Sequence, residues 1–370
     1  MLSPCVHRFF NTFSIVMTDY NQYLAKLIQI VEQEGASDLH LTANRPPTIR
    51  LSGELLPLVN QPILSGEDTK GLVLALLGKE LGELFLRDKE RDFAYEAPSK
   101  TRFRGNAFFQ RNLVGAALRL IPNQIRTMAV LSLPPILEEF AHKQQGFFLV
   151  VGPVGHGKST TLAAMIDLIN STRSEHIVTI EDPVEYIFEE KKSIIDQREV
   201  KFDTKDFPTA LNSMFRQDVD VAMIGEMRGA ETISTAVTAA ETGHLILSTL
   251  HTNNASQTID RIIDSFPAGQ QDQIRVQLAG SLLGVFSQRL IPRISGGLVP
   301  AFELLINNKA VSNLIRERRT AEIDVVIETG SEQGMIDLNH SLAELVGKGE
   351  VSQESAFQFS TNSKILERLL

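Results

Sequence analysis

Apolar and polar residues follow a mixed pattern between Tyr20 and Ile121. A helical stripe begins at Tyr20, with Asp19 placed to cap it, and residues 67–87 repeat the helical spacing. Short β-prone runs predict strands at Thr48–Leu51, Glu54–Leu56, Asp92–Tyr95, Arg102–Gln110 and Val114–Ile121. Because the connections between these runs are short, we expect a small α+β domain with an antiparallel sheet.

From Phe147 onward the pattern changes to short apolar runs separated by helices. A helix is predicted from Ser159 to about Asn170. Strands are predicted at Phe147–Val151, Ile177–Ile180, Asp220–Ile224 and Leu245–Ser248. Helical connections between apolar strands are typical of a parallel α/β sheet covered on both faces. After Pro267 the pattern predicts a mainly helical segment.

Proline marks the change from one pattern to the other. Residues 122–135 contain three prolines and no sustained periodicity, which predicts an interdomain linker. The predicted organisation is a first domain, a linker, a second domain and a C-terminal tail, at residues 17–121, 122–135, 136–350 and 351–370.

The first 16 residues have an apolar character that resembles a secretory signal only weakly. Asn11 and Thr12 interrupt the apolar stretch, and no small-residue cleavage site follows it. We therefore interpret residues 1–16 as a non-native extension and expect the natural chain to start at Met17.

The composition of the chain bears on two questions: whether it binds nucleic acid, and whether it contains disulfides or cysteine-based metal sites. The 370 residues include 45 acidic and 36 basic side chains, a formal net charge of −9. An acidic protein gains little from the release of phosphate counterions, so general binding of nucleic acid is disfavoured. The single cysteine, Cys5, excludes an internal disulfide framework and a cysteine-based zinc site.

One glycine-rich motif carries a specific chemistry. Residues 152–159, Gly-Pro-Val-Gly-His-Gly-Lys-Ser, match the complete phosphate-binding loop G-x-x-x-x-G-K-[ST] between a predicted strand and a predicted helix. Glycines let the backbone N–H groups surround a phosphate, and the helix adds its positive end. Lys158 supplies charge to the β- and γ-phosphates and Ser159 a ligand for Mg²⁺, so we expect ATP and Mg²⁺ as cofactors. The predicted nucleotide-binding residues are Gly152, Gly155, Gly157, Lys158, Ser159 and Thr160.

Such a loop needs an acidic partner for the metal and for the attacking water. Glu181 and Asp182 follow one predicted strand, and Glu226 follows another. Ligands of open α/β sheets bind at the carboxyl ends of the strands, where these acids fall. On the residues alone, His244 and His251 are packing histidines at the two ends of a strand, with no shared metal expected.

As a set, several segments resemble the type IV pilus retraction ATPases of the secretion-ATPase superfamily. The resemblance covers most of the chain from Met17 to about residue 347. The matching segments are Gly35–His40, Arg102–Arg104 with Asn106, Gly152–Thr161, Thr179–Glu185, Asp196–Val200, residues 225–228, Ala239–Thr252 and Ala310–Glu317. The absence of a four-cysteine insertion favours the retraction branch over the extension and secretion branches.

The resemblance implies a PAS-like first domain, a RecA-like ATPase domain and a homo-hexamer. It implies that Glu181 activates water, that Glu226 is the Walker B acid and a metal contact, and that His244 and His251 form a histidine box. Arg104 and Arg119 resemble the arginines that reach a neighbouring subunit's nucleotide. The implied partner is the pilus platform protein, with peripheral association at the cytoplasmic face of the inner membrane and no nucleic acid.

Three departures from the family pattern leave open whether ATP hydrolysis is coupled to pilus retraction. Val219 replaces a proline, Gly229 an aspartate, and Ser312 the inner arginine of the late motif. None of these changes removes a phosphate or Mg²⁺ ligand. The expected function is an ATPase motor for pilus retraction and twitching motility. The alternatives are an accessory or weakly active pilus ATPase, a non-catalytic regulator and, less favoured by the charge, a nucleic-acid translocase.

Overall fold

The computed structural model describes residues 19–51, 53–121, 124–227 and 229–370. The chain divides into two compact units, residues 1–123 and 124–370. Among the residues described, none of the helices combines the length and the apolarity that crossing a bilayer requires. The predicted extension over residues 1–16 lies outside the described residues.

The first unit is an α+β domain with an antiparallel sheet. Its elements are α1 (Tyr20–Glu34), β1 (Asp38–Thr42), β2 (Thr48–Leu51), β3 (Glu54–Pro57), α2 (Gly66–Asp88), β4 (Glu90–Glu96), β5 (Arg102–Gln110) and β6 (Leu113–Ile121). The strand order is β3-β2-β1-β6-β5-β4, and every pair is antiparallel. The five predicted strands are present, and β1 is an additional strand in the centre of the sheet.

Local signals explain where the two helices of this unit begin. Asp19 accepts hydrogen bonds from the first N–H groups of α1, and Ser65 with Asp68 forms a capping box at the start of α2. The apolar stripe of α1 is buried in the core of the unit. Helix α2 is interrupted at Gly78, whose φ of 67° is left-handed.

The second unit contains the parallel sheet. Its elements are α3 (Ile136–Ala141), β7 (Gly146–Val151), α4 (Lys158–Thr172), β8 (His176–Glu181), β9 (Ile194–Glu199), α5 (Phe207–Met214), β10 (Val221–Ile224), α6 (Ala230–Glu241), β11 (Leu245–Leu250), α7 (Ala255–Asp264), α8 (Ala268–Ser281), β12 (Leu282–Pro292), β13 (Leu298–Ile306), α9 (Lys309–Arg316), α10 (Ile323–Thr329), α11 (Leu338–Gly347), α12 (Gln353–Phe359) and α13 (Ser363–Leu369). The strand order is β13-β12-β7-β11-β10-β8-β9, and only β13 runs antiparallel to its neighbour.

The segment after Pro267 is mainly helical, as predicted, but it also contains two strands that were not predicted. Strands β12 and β13 form a long hairpin, and β12 extends the parallel sheet beside β7. Most residues of β12 are buried, so the strand lacks the apolar–polar alternation of a half-exposed strand. A short apolar run of this kind cannot be separated from a buried helix by its periodicity.

Two segments expected at the margins of the second domain are packed into it. Met128 and Leu133, in the predicted linker, are buried in the same apolar cluster as Phe148 of β7. In the predicted tail, Ala356 of α12 and Leu366 of α13 are buried against the β12–β13 hairpin. The prolines therefore mark irregular backbone here, while the side chains around them still contribute to the core.

The parallel strands bring one group of residues to a common edge. Val151 pairs with Leu250, and Ile224 pairs with Ile180, so strands β7, β11, β10 and β8 end together. The phosphate-binding loop follows β7. The other predicted functional residues at this carboxyl edge are Glu181, Glu226 and His251.

Candidate active site

The glycine-rich loop has the backbone conformation that its glycines allow. Gly152, Gly155 and Gly157 have φ values of 142°, 79° and 82°. A Cβ on Gly152 would lie 2.4 Å from the carbonyl oxygen of Gln288, so no larger residue fits there. The N-cap of α4 is Gly157, which has no side chain to cap the first turn. The first N–H groups of α4 are thus directed toward an incoming anion.

Lys158 is held inside this loop. The residue is only 7% exposed, and its Nζ donates hydrogen bonds to the carbonyl oxygens of Gly152 and Pro153, both at 2.9 Å. Burial lowers the pKa of Lys158, and the charge of Glu185 partly opposes that effect. Its position in the loop matches the role of a charge for the β- and γ-phosphates.

His251 lies between Lys158 and Glu226. Its Nδ1 lies 3.2 Å from Lys158 Nζ, and its Nε2 lies 3.5 Å from a carboxylate oxygen of Glu226. Since an ammonium group can only donate, Nδ1 is the acceptor of the first contact and Nε2 carries the proton that faces Glu226. His251 thus lies between the lysine of the loop and the acid that follows β10.

Glu181 is a buried carboxylate at the end of β8. It is 5% exposed, and it accepts hydrogen bonds from Thr179 Oγ1 at 2.7 Å and from the backbone N–H of Glu185 at 3.2 Å. Burial raises the pKa of Glu181 to about 7, although these hydrogen bonds oppose the shift. Asp182 instead faces Lys201 at 3.9 Å. A carboxyl group with a pKa near 7 can exchange a proton near neutral pH.

Oxygen ligands suitable for Mg²⁺ are present at the same edge. Ser159 is in the first turn of α4, and Glu226 follows β10. A hydroxyl and a carboxylate are hard oxygen donors, which Mg²⁺ prefers together with water and phosphate oxygens. Thr160 has a different contact, because its Oγ1 lies 2.8 Å from the hydroxyl of Tyr186.

The two predicted arginines belong to a cross-strand row in the first unit. Arg104 is directly opposite Arg119, which is opposite Asp38, which is opposite Arg50. Arg119 donates to Asp38 at 2.9 Å but remains 72% exposed, and Arg50 lies 3.8 Å from the other oxygen of Asp38. Like charges on directly opposed residues destabilise a sheet. This row of three arginines and one aspartate therefore carries an excess of positive charge.

The second histidine of the predicted histidine box lies at the other edge of the sheet. His244 precedes β11, where Leu245 pairs with Gly146, the first residue of β7. A strand of this length separates the two edges by about 20 Å. The Nδ1 of His244 donates to the carbonyl oxygen of Ala239 at 3.0 Å, and its ring packs edge-on against Phe215. Within one subunit, His244 is thus not brought together with His251.

A family model described as type II/IV secretion system protein matches residues 117–364, two thirds of the chain. The chain belongs to this secretion ATPase family. The predicted superfamily membership is confirmed, and so is the predicted α/β fold class, a RecA-like domain preceded by a smaller α+β domain.

Individual members of the secretion ATPase family are similar over nearly the full length. A type IV pilus retraction ATPase, PilT of Pseudomonas aeruginosa, is 44% identical over 90% of this chain and 96% of its own. The type IV pilus ATPase PilU of the same organism is 40% identical over 93% of this chain and 90% of its own. A crystal structure of the pilus retraction motor PilT with bound ADP has a TM-score of 0.88 at 44% identity, covering 93% and 98% of the two chains.

The three departures from the family pattern lie outside the hydrogen bonds just described. Val219 is buried before β10. Gly229 is the N-cap of α6, in an extended conformation with nothing near the place of a Cβ. Ser312 donates to the carbonyl oxygen of Ala279 at 2.9 Å and contacts Asn307. None of the three contacts the phosphate loop, Glu181 or Glu226 in these interactions.

Sequence reasoning did not find two residues that contact the loop. Gln288 hydrogen-bonds to both the loop and α4, and Tyr186 contacts Thr160. Gln288 lies on β12, a strand that was not predicted, so its approach to the loop was hidden. His156, to which no role was assigned, accepts a hydrogen bond from the backbone of Leu290. A correct strand assignment for β12 is the signal that would have revealed the contacts of Gln288 and Leu290 with the loop.

Proposed function

We propose that this protein is an ATP-hydrolysing motor that drives type IV pilus retraction. The observation that carries the proposal is the single edge where Lys158, His251 and Glu226 form a contact chain next to buried Glu181. The similarity to the retraction ATPase PilT supports both the reaction and its purpose. The proposed location is the cytoplasmic face of the inner membrane, next to the pilus platform protein, without nucleic acid.

The proposed reaction begins with ATP in the phosphate loop. Lys158 and the N–H groups of α4 hold the β- and γ-phosphates. Bound Mg²⁺, held by Ser159 and by Glu226 directly or through water, would neutralise phosphate charge. Glu181 accepts a proton from the water that attacks the γ-phosphorus, and ADP is the leaving group. His251 then responds to the loss of the γ-phosphate because it contacts both Lys158 and Glu226.

The proposed assembly is a homo-hexamer with active sites that span two subunits. The arginine row of the first unit carries more positive than negative charge, and Arg119 is largely solvent-exposed. In the ring, Arg104 and Arg119 of one subunit would reach the nucleotide held by the next. Such arginines stabilise transition-state charge and contribute about 10³–10⁵ in rate in other systems. Hydrolysis would then move one first domain against the neighbouring ATPase domain.

Mixing two inactive variants tests the shared site. Lys158→Ala removes the loop lysine but keeps the arginines, and Arg104→Ala does the reverse. If the proteins are combined before assembly, about a quarter of the interfaces in a random ring join an intact loop to an intact Arg104. We expect ATP turnover of the mixture to rise clearly above the mean of the two variants alone.

A second mixture provides the matched control. Lys158→Ala and Glu181→Gln both damage the loop side of the site, so no interface in their mixture is complete and turnover should stay at the mean. If the first mixture also stays at the mean, Arg104 does not act on a neighbour's nucleotide. If the unmodified protein binds ATP without turning it over, the motor proposal fails and a regulatory role replaces it.

A further inference from the structure

Gln288 is a buried side chain that contacts the phosphate loop from β12. The residue is only 1% exposed. Its Oε1 accepts a hydrogen bond from Thr161 Oγ1 at 2.6 Å, and its Nε2 donates to the carbonyl oxygen of His156 at 2.6 Å. One amide therefore joins the middle of the loop to the first turn of α4, and both its oxygen and its nitrogen are hydrogen-bonded.

The backbone and the side chain of Gln288 also lie against two of the loop glycines. Its carbonyl oxygen is 2.4 Å from the place of a Cβ on Gly152, and its Nε2 is 3.0 Å from the place of a Cβ on Gly157. Gly152 begins the loop and Gly157 precedes Lys158. Gln288 therefore lies against both ends of the loop.

A second contact from the same strand supports the loop next to Gln288. The backbone N–H of Leu290 donates to Nδ1 of His156 at 2.9 Å. Burial lowers the pKa of His156, and the charges of Arg289 and Lys158 lower it further. A neutral imidazole is needed here, because Nδ1 must be unprotonated to accept the N–H. The loop is thus hydrogen-bonded to β12 at two positions, through the side chain of Gln288 and the backbone N–H of Leu290.

From this geometry we propose that Gln288 is the positioning residue of the phosphate loop. It acts through the loop backbone: it holds the N–H groups and Lys158 in the arrangement that receives the β-phosphate before any nucleotide arrives. Preorganisation of this kind raises affinity because binding no longer has to order the loop. The inference rests on the proposed nucleotide site and adds a residue outside the glycine-rich motif.

Two substitutions of similar size separate the role of the amide from simple packing. Gln288→Met keeps the volume and removes both hydrogen bonds. Gln288→Glu keeps an acceptor for Thr161 but places a carboxylate oxygen against the carbonyl oxygen of His156. The matched control is Asn170→Leu, which removes a second buried amide that bridges two backbone groups, Glu189 O and Lys191 N, near the far end of α4.

The decisive measurement is the Kd for a fluorescent ADP analogue in the full chain, followed by KM and kcat for ATP. Both variants lose the hydrogen bond to the carbonyl oxygen of His156, and Gln288→Met also loses the one from Thr161. We therefore expect both to weaken ADP binding about tenfold or more. KM should rise by a similar factor while kcat falls less. Asn170→Leu should lower the melting temperature comparably and leave the Kd within about twofold.

The outcomes separate this inference from the proposed function. Unchanged ADP affinity in both Gln288 variants, or an equal loss in Asn170→Leu, would overturn the positioning role. If the unmodified protein binds ADP but does not hydrolyse ATP, the proposed function fails while the effect on the Kd still decides the role of Gln288. If it binds no nucleotide, both fail.

Discussion

The two ends of β11 carry the same residue type in different surroundings. At the carboxyl end, His251 contacts Lys158 and lies near Glu226, and it is about half exposed. At the amino end, His244 is satisfied by the carbonyl oxygen of Ala239 and by the ring of Phe215. The first histidine has charged neighbours from other parts of the chain, whereas the contacts described for the second are a backbone carbonyl and an aromatic ring.

The difference between these ends comes from the direction of the strands. Parallel strands place the residues after each strand at one common edge, so acids and loops from distant parts of the sequence meet there. At the other edge, helices end and return to the sheet, and a side chain such as His244 is used to close a turn. Position along a strand therefore decides whether a histidine can act on a nucleotide within its own subunit.

The largest expected effect is the loss of Glu181 at the carboxyl edge. Glu181→Gln removes the proton acceptor but keeps the size of the side chain, so turnover should fall by about 10²–10⁴. Binding of ADP should stay within a few-fold, since Glu181 is not in the loop. Steady-state ATP hydrolysis and ADP titration of the same preparation check both parts. A variant that keeps more than a tenth of the activity would show that another group takes the proton.

The next largest expected effect is a difference in kcat between variants of the two histidines. We expect His251→Ala to lower kcat by about tenfold or more, because Glu226 and Lys158 lose their connection. His244→Ala should leave kcat per folded subunit nearly unchanged, and it should lower the free energy of unfolding by about 1 kcal/mol through the lost hydrogen bond. Parallel kinetics and denaturation of the two variants make the comparison. Equal losses of kcat in the two variants would contradict the conclusion that only the histidine at the carboxyl edge acts on the nucleotide site.

The pH dependence of activity follows from the raised pKa of Glu181. Since that pKa is about 7 and the reaction needs the carboxylate, kcat should fall as the pH drops below about 7. An unperturbed glutamate would keep its activity to about pH 5. A pH–rate profile measures this limb, with ADP binding followed in parallel to confirm that the loop remains occupied. An acid limb that begins only below pH 5 would rule out the raised pKa.

The raised pKa of Glu181 should also make the free energy of unfolding depend on pH, an effect smaller than the one on activity. A raised folded-state pKa means that ionisation of Glu181 opposes folding, so wild-type stability falls as the pH rises from about 4.5 to 7. Glu181→Gln lacks this ionisation. Its free energy of unfolding, compared with that of the wild type, should therefore be higher at pH 8 than at pH 4.5 by about 3 kcal/mol. Urea denaturation at both pH values checks the sign, and a difference that does not change with pH contradicts it.

The sequence made the phosphate loop and the acids predictable because each depends on local information. Gly152 and Lys158 occur in a fixed spacing, and Glu181 and Glu226 follow recognisable strands. Gln288 was not predictable, because its role depends on a strand that pairs with β7 across more than a hundred residues. The raised pKa of Glu181 was equally hidden, since burial is a property of the folded chain.

The arginine row shows the same limit in the first unit. Arg104 and Arg119 were recognisable from the family pattern, but Asp38 and Arg50 join them only through the register of four strands. The missed strand β1 supplies Asp38 at the centre of that row. Strand pairing, unlike a loop motif, is decided by distant partners and is therefore weakly encoded in any single segment.

The most direct test of the proposed motor is ATP turnover of the full chain at increasing protein concentration, with Lys158→Ala beside it. A working site at the carboxyl edge that needs a neighbour's arginine predicts specific activity that rises as the protein assembles and that is lost in the variant. Specific activity that stays constant through assembly, or that survives in Lys158→Ala, would contradict the shared nucleotide site on which this account is built.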